Sequence, residues 1–191
     1  MKLRIDITGQ TPLYQHNPAE LANPLAELAQ EIKKLTSKRN KTIEDHKRIA
    51  RLEFEGSLYY DTTNGVFLPS WNIKKCFIEA GRLRKFGKMI ERGFVPLEPI
   101  VPLVYEGPDT PDDLWEAGFW KSDTMGQRGN RIARTRPFFE TWALALDAEL
   151  DANQMNLTNF NQVSEDAGTL MGLGDSRNMG YGRFTVEVEE V

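Results

Sequence analysis

Arg177 and Arg183 stand in a short polar loop framed by Gly172, Gly174, Gly180 and Gly182, just before an alternating segment with Phe184, Val186 and Val188 on one side. Glycines let a backbone present its N–H groups at close range, and arginines add forked cationic donors, so the chemistry on offer is recognition of a phosphate or a nucleic-acid backbone. The loop is not a Walker loop, because no Gly-Lys-Ser/Thr follows. Nor is it a dinucleotide fingerprint: Arg177 occupies the third glycine position, and the glycines run into a strand rather than a helix. The plainer alternative is a glycine-rich turn ahead of a last strand.

Other cations come in runs. Lys33 to Arg51 carries eight Lys/Arg against two acids and includes Lys38, Arg39 and Lys41. Lys74 to Arg92 carries seven against two and includes Lys74, Lys75 and Arg82. Arg128 to Arg136 holds four arginines, Arg134 and Arg136 among them, and no acid. The compensating acids sit elsewhere: six lie between Glu98 and Glu116 without one base, and Glu187, Glu189 and Glu190 lie near the end. The net charge of −4 argues against a generally basic binder, but this distribution predicts a two-sided molecule with basic stripes that meet phosphate. Trp71 and Tyr181 adjoin these segments and are candidates for stacking on unpaired bases, whereas Tyr59 and Tyr60 read as packing residues.

Catalytic chemistry is weakly represented. A metal-independent nuclease needs a general base, and His16 and His46 are the two histidines. His46 lies among charged residues and reads as solvated. Asp61 and Asp175 lack the paired carboxylates of two-metal sites. Ser70 and Cys76 have no base in sequence view. A single cysteine excludes an internal disulfide and fits a reducing cytoplasm, and no zinc-ligand spacing exists. We therefore expect no cofactor, no metal and no catalytic residue. With neither an apolar span nor a signal-peptide core at the N-terminus, we expect a cytoplasmic protein without a membrane partner.

These residues need elements to position them. Lys2 to Thr8 alternates as a strand. Asn17-Pro18 and Asn23-Pro24 are start signals, and Leu25, Leu28, Ile32 and Leu35 trace a helical face up to Thr36. Ser37 to Thr42 reads as a cationic loop or arm. A helix resumes near Thr42, with Glu44 and Asp45 in its first turn, and ends before Gly56. A hairpin joins Leu58–Tyr60 to Val66–Leu68 through Thr62-Thr63-Asn64-Gly65. Ser70 then caps a helix whose inner face runs Ile73, Phe77, Ala80, Leu83, Gly87 and Ile90. Arg84 falls on that apolar side and calls for a carboxylate partner. Residues 95–104 are strand-like but broken by prolines, Pro108 to Asp113 is an acidic loop, and Ser122 to Asn130 reads as mobile. Ile132 to Arg136 leads into Pro137, and Thr141 to Leu150 alternates as a strand. A helix from Leu157 is stopped by Gly168. The fold class is α+β: one domain with an antiparallel sheet and helices on one face, leaving the other face open for a ligand, as in sheet-type RNA binders.

Four stretches together carry a resemblance: Gly9 to Leu13, Val66 to Arg82, Ala133 to Trp142 and Ala167 to Phe184. Their order resembles the RAMP superfamily, the ferredoxin-like proteins that form backbone and crRNA-processing subunits of CRISPR effector complexes. The resemblance implies a ferredoxin-like or RRM-like domain. It also implies a helix motif at Pro69, Ser70, Ile73, Lys74, Lys75 and Arg82 that touches RNA, and a loop motif at Gly172, Gly174, Arg177, Gly180, Gly182 and Arg183. Leu35 to Asp61 is also similar to a small group of phage and prophage proteins of unknown role. The chain departs from the CRISPR subunits in a basic helical insertion at about 33–56, and in its short length; a second, acidic and mobile insertion falls at about 98–130. Fold and polymer binding carry over; membership of an interference complex does not.

The expected function is non-enzymatic binding of single-stranded RNA or DNA by a phage or prophage protein in the cytoplasm of a bacterial host cell, with self-association along the strand. The expected site comprises Arg177, Arg183, Lys74, Lys75, Arg82, Lys38, Arg39, Lys41, Arg134, Arg136, Trp71, Tyr181, Gly172, Gly174, Gly180 and Gly182. The alternatives are a protein-interaction module that docks on a host protein complex through the Glu98–Glu116 stretch, and a metal-independent endoribonuclease using His16.

Overall fold

Leu3, Ile5 and Ile7 alternate with polar residues, so the chain opens as a strand with one apolar face. The computed structural model describes residues 1–127 and 130–191, and the side chains of these except at 125–127 and 130–132. Its elements begin with β1 (Lys2–Gly9), β2 (Leu13–Tyr14), α1 (Pro18–Ala22), α2 (Glu27–Thr36), α3 (Ile43–Ser57), β3 (Tyr60–Asp61), β4 (Gly65–Pro69) and α4 (Ser70–Leu83). There follow α5 (Gly87–Gly93), β5 (Phe94–Pro96), β6 (Ile100–Pro102), α6 (Pro111–Glu116), β7 (Trp120–Gln127), β8 (Asn130–Phe139), β9 (Ala143–Leu150), α7 (Leu157–Asp166) and β10 (Phe184–Glu190). The protein is α+β with antiparallel sheets. Two compact units divide the chain: Met1–Tyr14 with Asp61–Glu106 and Glu140–Val191, and Gln15–Tyr60 with Gly107–Phe139. No helix among the described residues is long and apolar enough to cross a membrane.

The first unit holds a four-stranded sheet in the order β10-β1-β9-β5, each neighbouring pair antiparallel. With the helices between them, these strands follow the chain as β1, α4, β5, β9, α7, β10. Ile5 stands opposite Val188 on one side and Leu146 on the other. Leu3, Ile5, Ile7, Leu144, Leu146, Leu150, Phe94 and Phe184 make the buried side of the sheet, under Ile73, Phe77 and Ala80 of α4 and Phe160 and Val163 of α7. Rings knit this layer: Phe77 lies 5.4 Å from Phe94 and 5.6 Å from Phe160, and Phe94 lies 5.1 Å from Phe160, centroid to centroid.

The other side of the sheet faces water, and its chemistry is not that of a stacking platform. Register places Asp6 between Glu187 and Ala145, Arg4 between Glu189 and Asp147, and Lys2 beside Glu149. Asp6, Asp147, Glu149, Glu187 and Glu189 outnumber Lys2 and Arg4, and Arg4 is itself held by Asp147 at 3.1 Å. This hydrogen bond raises the Arg4 guanidinium further above its ordinary range. Sheet-type RNA binders stack bases on aromatic rings at such a face. Here the face is acidic and its described residues include no ring, so the expectation of an open ligand face on the sheet fails on charge and on shape.

Several local expectations differ from the structure. The helix from Ser70 does not run through to Ile90. It stops at Leu83, where Phe86 N–H bonds Gly81 O at 2.7 Å, Lys85 N–H bonds Arg82 O at 3.2 Å and Lys85 takes a left-handed φ of 64°. This is a Schellman closure formed without glycine. It turns α5 back onto α4, and Gly81 leaves the space that Ile90 fills. Ser70 is the first helical residue rather than the cap, its N–H donating to Pro99 O at 2.9 Å; Leu83 is exposed. Gly168 does not end α7 either. The helix continues as a π-helical turn over Ala167–Met171 and ends at Gly172. Gly168 is there because a β-carbon would lie 2.1 Å from the Phe184 carbonyl oxygen. Arg84, exposed rather than buried, does have its carboxylate: Asp166 holds it through two oxygens, which raises the guanidinium further.

In the second unit Thr42 caps α3 as its sequence predicts, with Asp45 completing a capping box. The helix passes Gly56 because Leu21 and Leu28 occupy the space a β-carbon would need. The acidic stretch contains α6, capped by Thr110 with Pro111 in the first turn. The segment read as mobile is, up to Gln127, strand β7, paired with β8 in register from Trp120↔Pro137 to Gln127↔Asn130. Arg128 lies outside the described residues. Trp115 stacks on Trp120 at 4.5 Å and carries the Arg51 guanidinium on its ring at 5.2 Å.

Candidate functional site

The loop from Gly172 to Arg183 is wound from left-handed residues: Gly172, Gly174, Gly180, Gly182 and also Ser176, at φ 57°. Two of the glycines are demanded by close backbone approach. A β-carbon on Gly174 would meet Tyr14 O at 2.2 Å, and one on Gly182 would meet Leu173 O at 1.8 Å. The loop also consumes most of its own N–H groups. Gly172 donates to Ala167 O, Leu173 to Gly182 O, Asp175 to Tyr14 O, Gly180 to Arg177 O and Gly182 to Pro12 O, all at 2.8–3.1 Å. Ser176 donates to Asp175 Oδ1 and Arg183 to Thr11 Oγ1. Gly174 and Gly182 therefore have a packing reason of their own, and what this loop turns outward is side chains.

The same contacts explain why the conspicuous sequence stretches occur together. Thr11 Oγ1 donates to Gly180 O, Trp142 Nε1 donates to Thr11 O at 2.9 Å, and a β-carbon on Gly9 would strike the Trp142 indole. From α4, Cys76 donates its S–H to Gly172 O at 3.2 Å. Burial pushes the Cys76 thiol up to about 12, with Glu79 adding to the effect and Arg177 and Arg183 opposing it. A thiol so held is no nucleophile.

The side chains converge on α4. Arg177 Nη1 forms an ion pair with Glu79 Oε2 at 3.1 Å. Glu79 is the lone acid between Lys74 and Lys88, and on the helix it shares a face with Lys75, one turn before it, and Arg82, one turn after. Lys75, Arg82 and the half-buried Lys74 have no carboxylate partner among the described residues. Trp71 stands on the same outward side and is 55% exposed. Between α4 and the loop lies a cleft of about 410 Å³, bordered by Glu79, Arg177, Arg183, Ser176, Asn178 and Leu170 among others. Arg183 Nη2 donates to Arg177 O at 3.1 Å, while its Nη1, packed on Gly172, has no acceptor among the described residues. Tyr181 is half-buried, its ring edge-on to Tyr14 at 4.8 Å.

Lys74, Lys75, Arg82, Trp71, Arg177, Arg183, Tyr181 and the four glycines thus belong to one unit. Lys38, Arg39, Lys41, Arg134 and Arg136 belong to the other. There Lys38 is tied to Asp45 at 2.6 Å, and Arg134 to the buried Glu53, which also accepts Thr135 N–H at 2.9 Å. Lys41 donates to Lys38 O, and Arg39 is exposed. Arg136 Nη1 donates to His16 Nδ1 at 2.7 Å and to Ser57 Oγ at 3.1 Å. A guanidinium only donates, so His16 Nδ1 is an acceptor already in use. Asp61 closes its own turn on Thr63 and Asn64, and hydrogen bonds from Asn64 hold its carboxyl below the usual range.

Sequence reasoning missed Glu79, although a single acid centred in a basic helical face is a visible signal. It also missed the exposed Leu170 (54%) and Met179 (60%), which carry no polar signature. The described residues contain no group of three or more His, Cys, Asp or Glu placed to hold a metal ion. No protein-family model matches the chain, and no curated protein matches it.

Proposed function

We propose that this chain is a RAMP-like, non-enzymatic protein that binds single-stranded nucleic acid along the outward face of α4 and the arginine loop. The observation that carries this reading is a cleft lined by Arg177 and Arg183 of the loop and by Glu79 of α4, the helix that also carries Lys74, Lys75, Arg82 and the exposed Trp71. Lysines and arginines that neutralise phosphates bind by releasing counter-ions, and an exposed indole beside them gives unpaired bases a surface to stack on. The element order β1, α4, β5, β9, α7, β10 with strands arranged β10-β1-β9-β5 supports a ferredoxin-like reading of the first unit, being a split βαβ order.

A salt-titrated shift assay with single- and double-stranded oligonucleotides tests the proposal. Five phosphate contacts imply a log–log slope of about −3.5 for a single strand. Replacing Lys74, Lys75, Arg82, Arg177 and Arg183 by Gln should abolish binding at moderate salt. Mass photometry with and without oligonucleotide tests self-association along the strand. Absence of single-strand binding at low salt defeats the proposal.

A further inference from the structure

Of the two arginines that line the cleft, Arg177 is paired with a carboxylate and Arg183 has none among the described residues, and the carboxylate comes from the middle of the face proposed to meet phosphate. We infer that Glu79 is a resident stand-in for phosphate: it holds Arg177 while the cleft is empty, and a strand phosphodiester displaces it on binding. This rests on the nucleic-acid reading above and adds to it the residue that sets the affinity.

The chemistry follows from position. Glu79 Oε2 lies 3.1 Å from Arg177 Nη1, the place a phosphate oxygen would take in a charge-assisted hydrogen bond. Lys75 and Arg82 flank Glu79 one turn away on either side, so a carboxylate there lowers the potential along the whole face. The pair is partly solvated, with Arg177 39% and Glu79 26% exposed, so exchange costs little and water reaches both partners. Arg183 Nη1 has no acceptor among the described residues, and an anion entering beside Arg177 is a source of one. Leu170, 54% exposed, leaves apolar surface at the cleft, which suits unpaired bases better than a duplex sheathed in phosphate.

The test is a double-substitution cycle. Wild type, Glu79→Gln, Arg177→Gln and the double variant are titrated with a fluorescent oligothymidylate at several salt concentrations, and a thermal melt checks folding. Glu79→Gln should bind about two- to fivefold more tightly, the range that half-exposed ion pairs are worth. Its salt slope should match that of the wild type, because Arg177 ends on the same phosphate in both proteins. The gain should shrink when Arg177 is also replaced, leaving only the effect of one negative charge fewer beside Lys75 and Arg82. Glu79→Asp, which keeps the charge but shortens the reach, should show part of the gain and keeps the question open to test if Glu79→Gln folds poorly. Glu187→Gln on the acidic sheet face should change nothing. If wild type binds and Glu79→Gln matches it, or its gain persists undiminished without Arg177, the inference is wrong while the binding function stands. If neither protein binds, both fall.

Discussion

Gly182 and Gly180 look alike in sequence and share a left-handed φ, yet their surroundings set them apart. A β-carbon on Gly182 would lie 1.8 Å from a backbone oxygen, whereas nothing lies within 4 Å of one on Gly180. Gly180→Ala should therefore cost only the conformational penalty, about 1 kcal/mol. Gly182→Ala should cost several times more, because the Leu173 N–H to Gly182 O hydrogen bond holds the two backbones together, and making room for a β-carbon means parting them. Urea melts of the two variants measure the difference. Cys76 gives a second prediction at this scale. With its thiol pushed up to about 12 by burial, it should resist a thiol reagent at pH 8 in the native protein and react on unfolding. The sequence showed that the loop is rich in glycine but not why. The oxygens that forbid side chains belong to Tyr14, Leu173 and Phe184, and such pairings become visible only when the strands are joined.

Helix α3 allows a sharper prediction because its start is held by titratable chemistry. Hydrogen bonds from Lys38 and from the Thr42 backbone hold the Asp45 carboxyl at about 2, below its ordinary 3.8. A depressed folded value means that the stabilisation is complete above about pH 4 and is lost as pH falls toward 2. Hydrogen exchange at the α3 N-terminus should speed up over that window, and in Asp45→Asn the window should disappear. Thr42→Ala should cost about 1 kcal/mol. In the core, Phe77→Ala should cost about 3–5 kcal/mol, since it opens a cavity among three mutually packed rings. Elements with local signals were readable: alternation marked β1, β9 and β10, and Thr42 with Asp45 marked α3. Elements decided by distant partners were not. The break after Leu83 depends on Gly81 receiving Ile90, and the hairpin β7–β8 has too few apolar residues at its tip to announce itself.

Two sides of the first unit carry opposed charge: the outward side of α4, rich in cations, and the open side of the sheet, where carboxylates outnumber cations. Both helices of the split order pack on the buried side of the sheet, so within this unit the proposed function requires a strand of nucleic acid to lie on the helical side and not on the sheet. Where the ligand lands is therefore more informative than whether it binds. Backbone amide shifts of the labelled protein, followed by NMR during titration with oligothymidylate, report this directly. We predict perturbations at Trp71, Lys75, Glu79, Arg82 and Asn178 to Arg183, and none along Arg4, Asp6, Asp147 and Glu187. Perturbations centred on those four sheet residues, or none anywhere at low salt, would contradict the account.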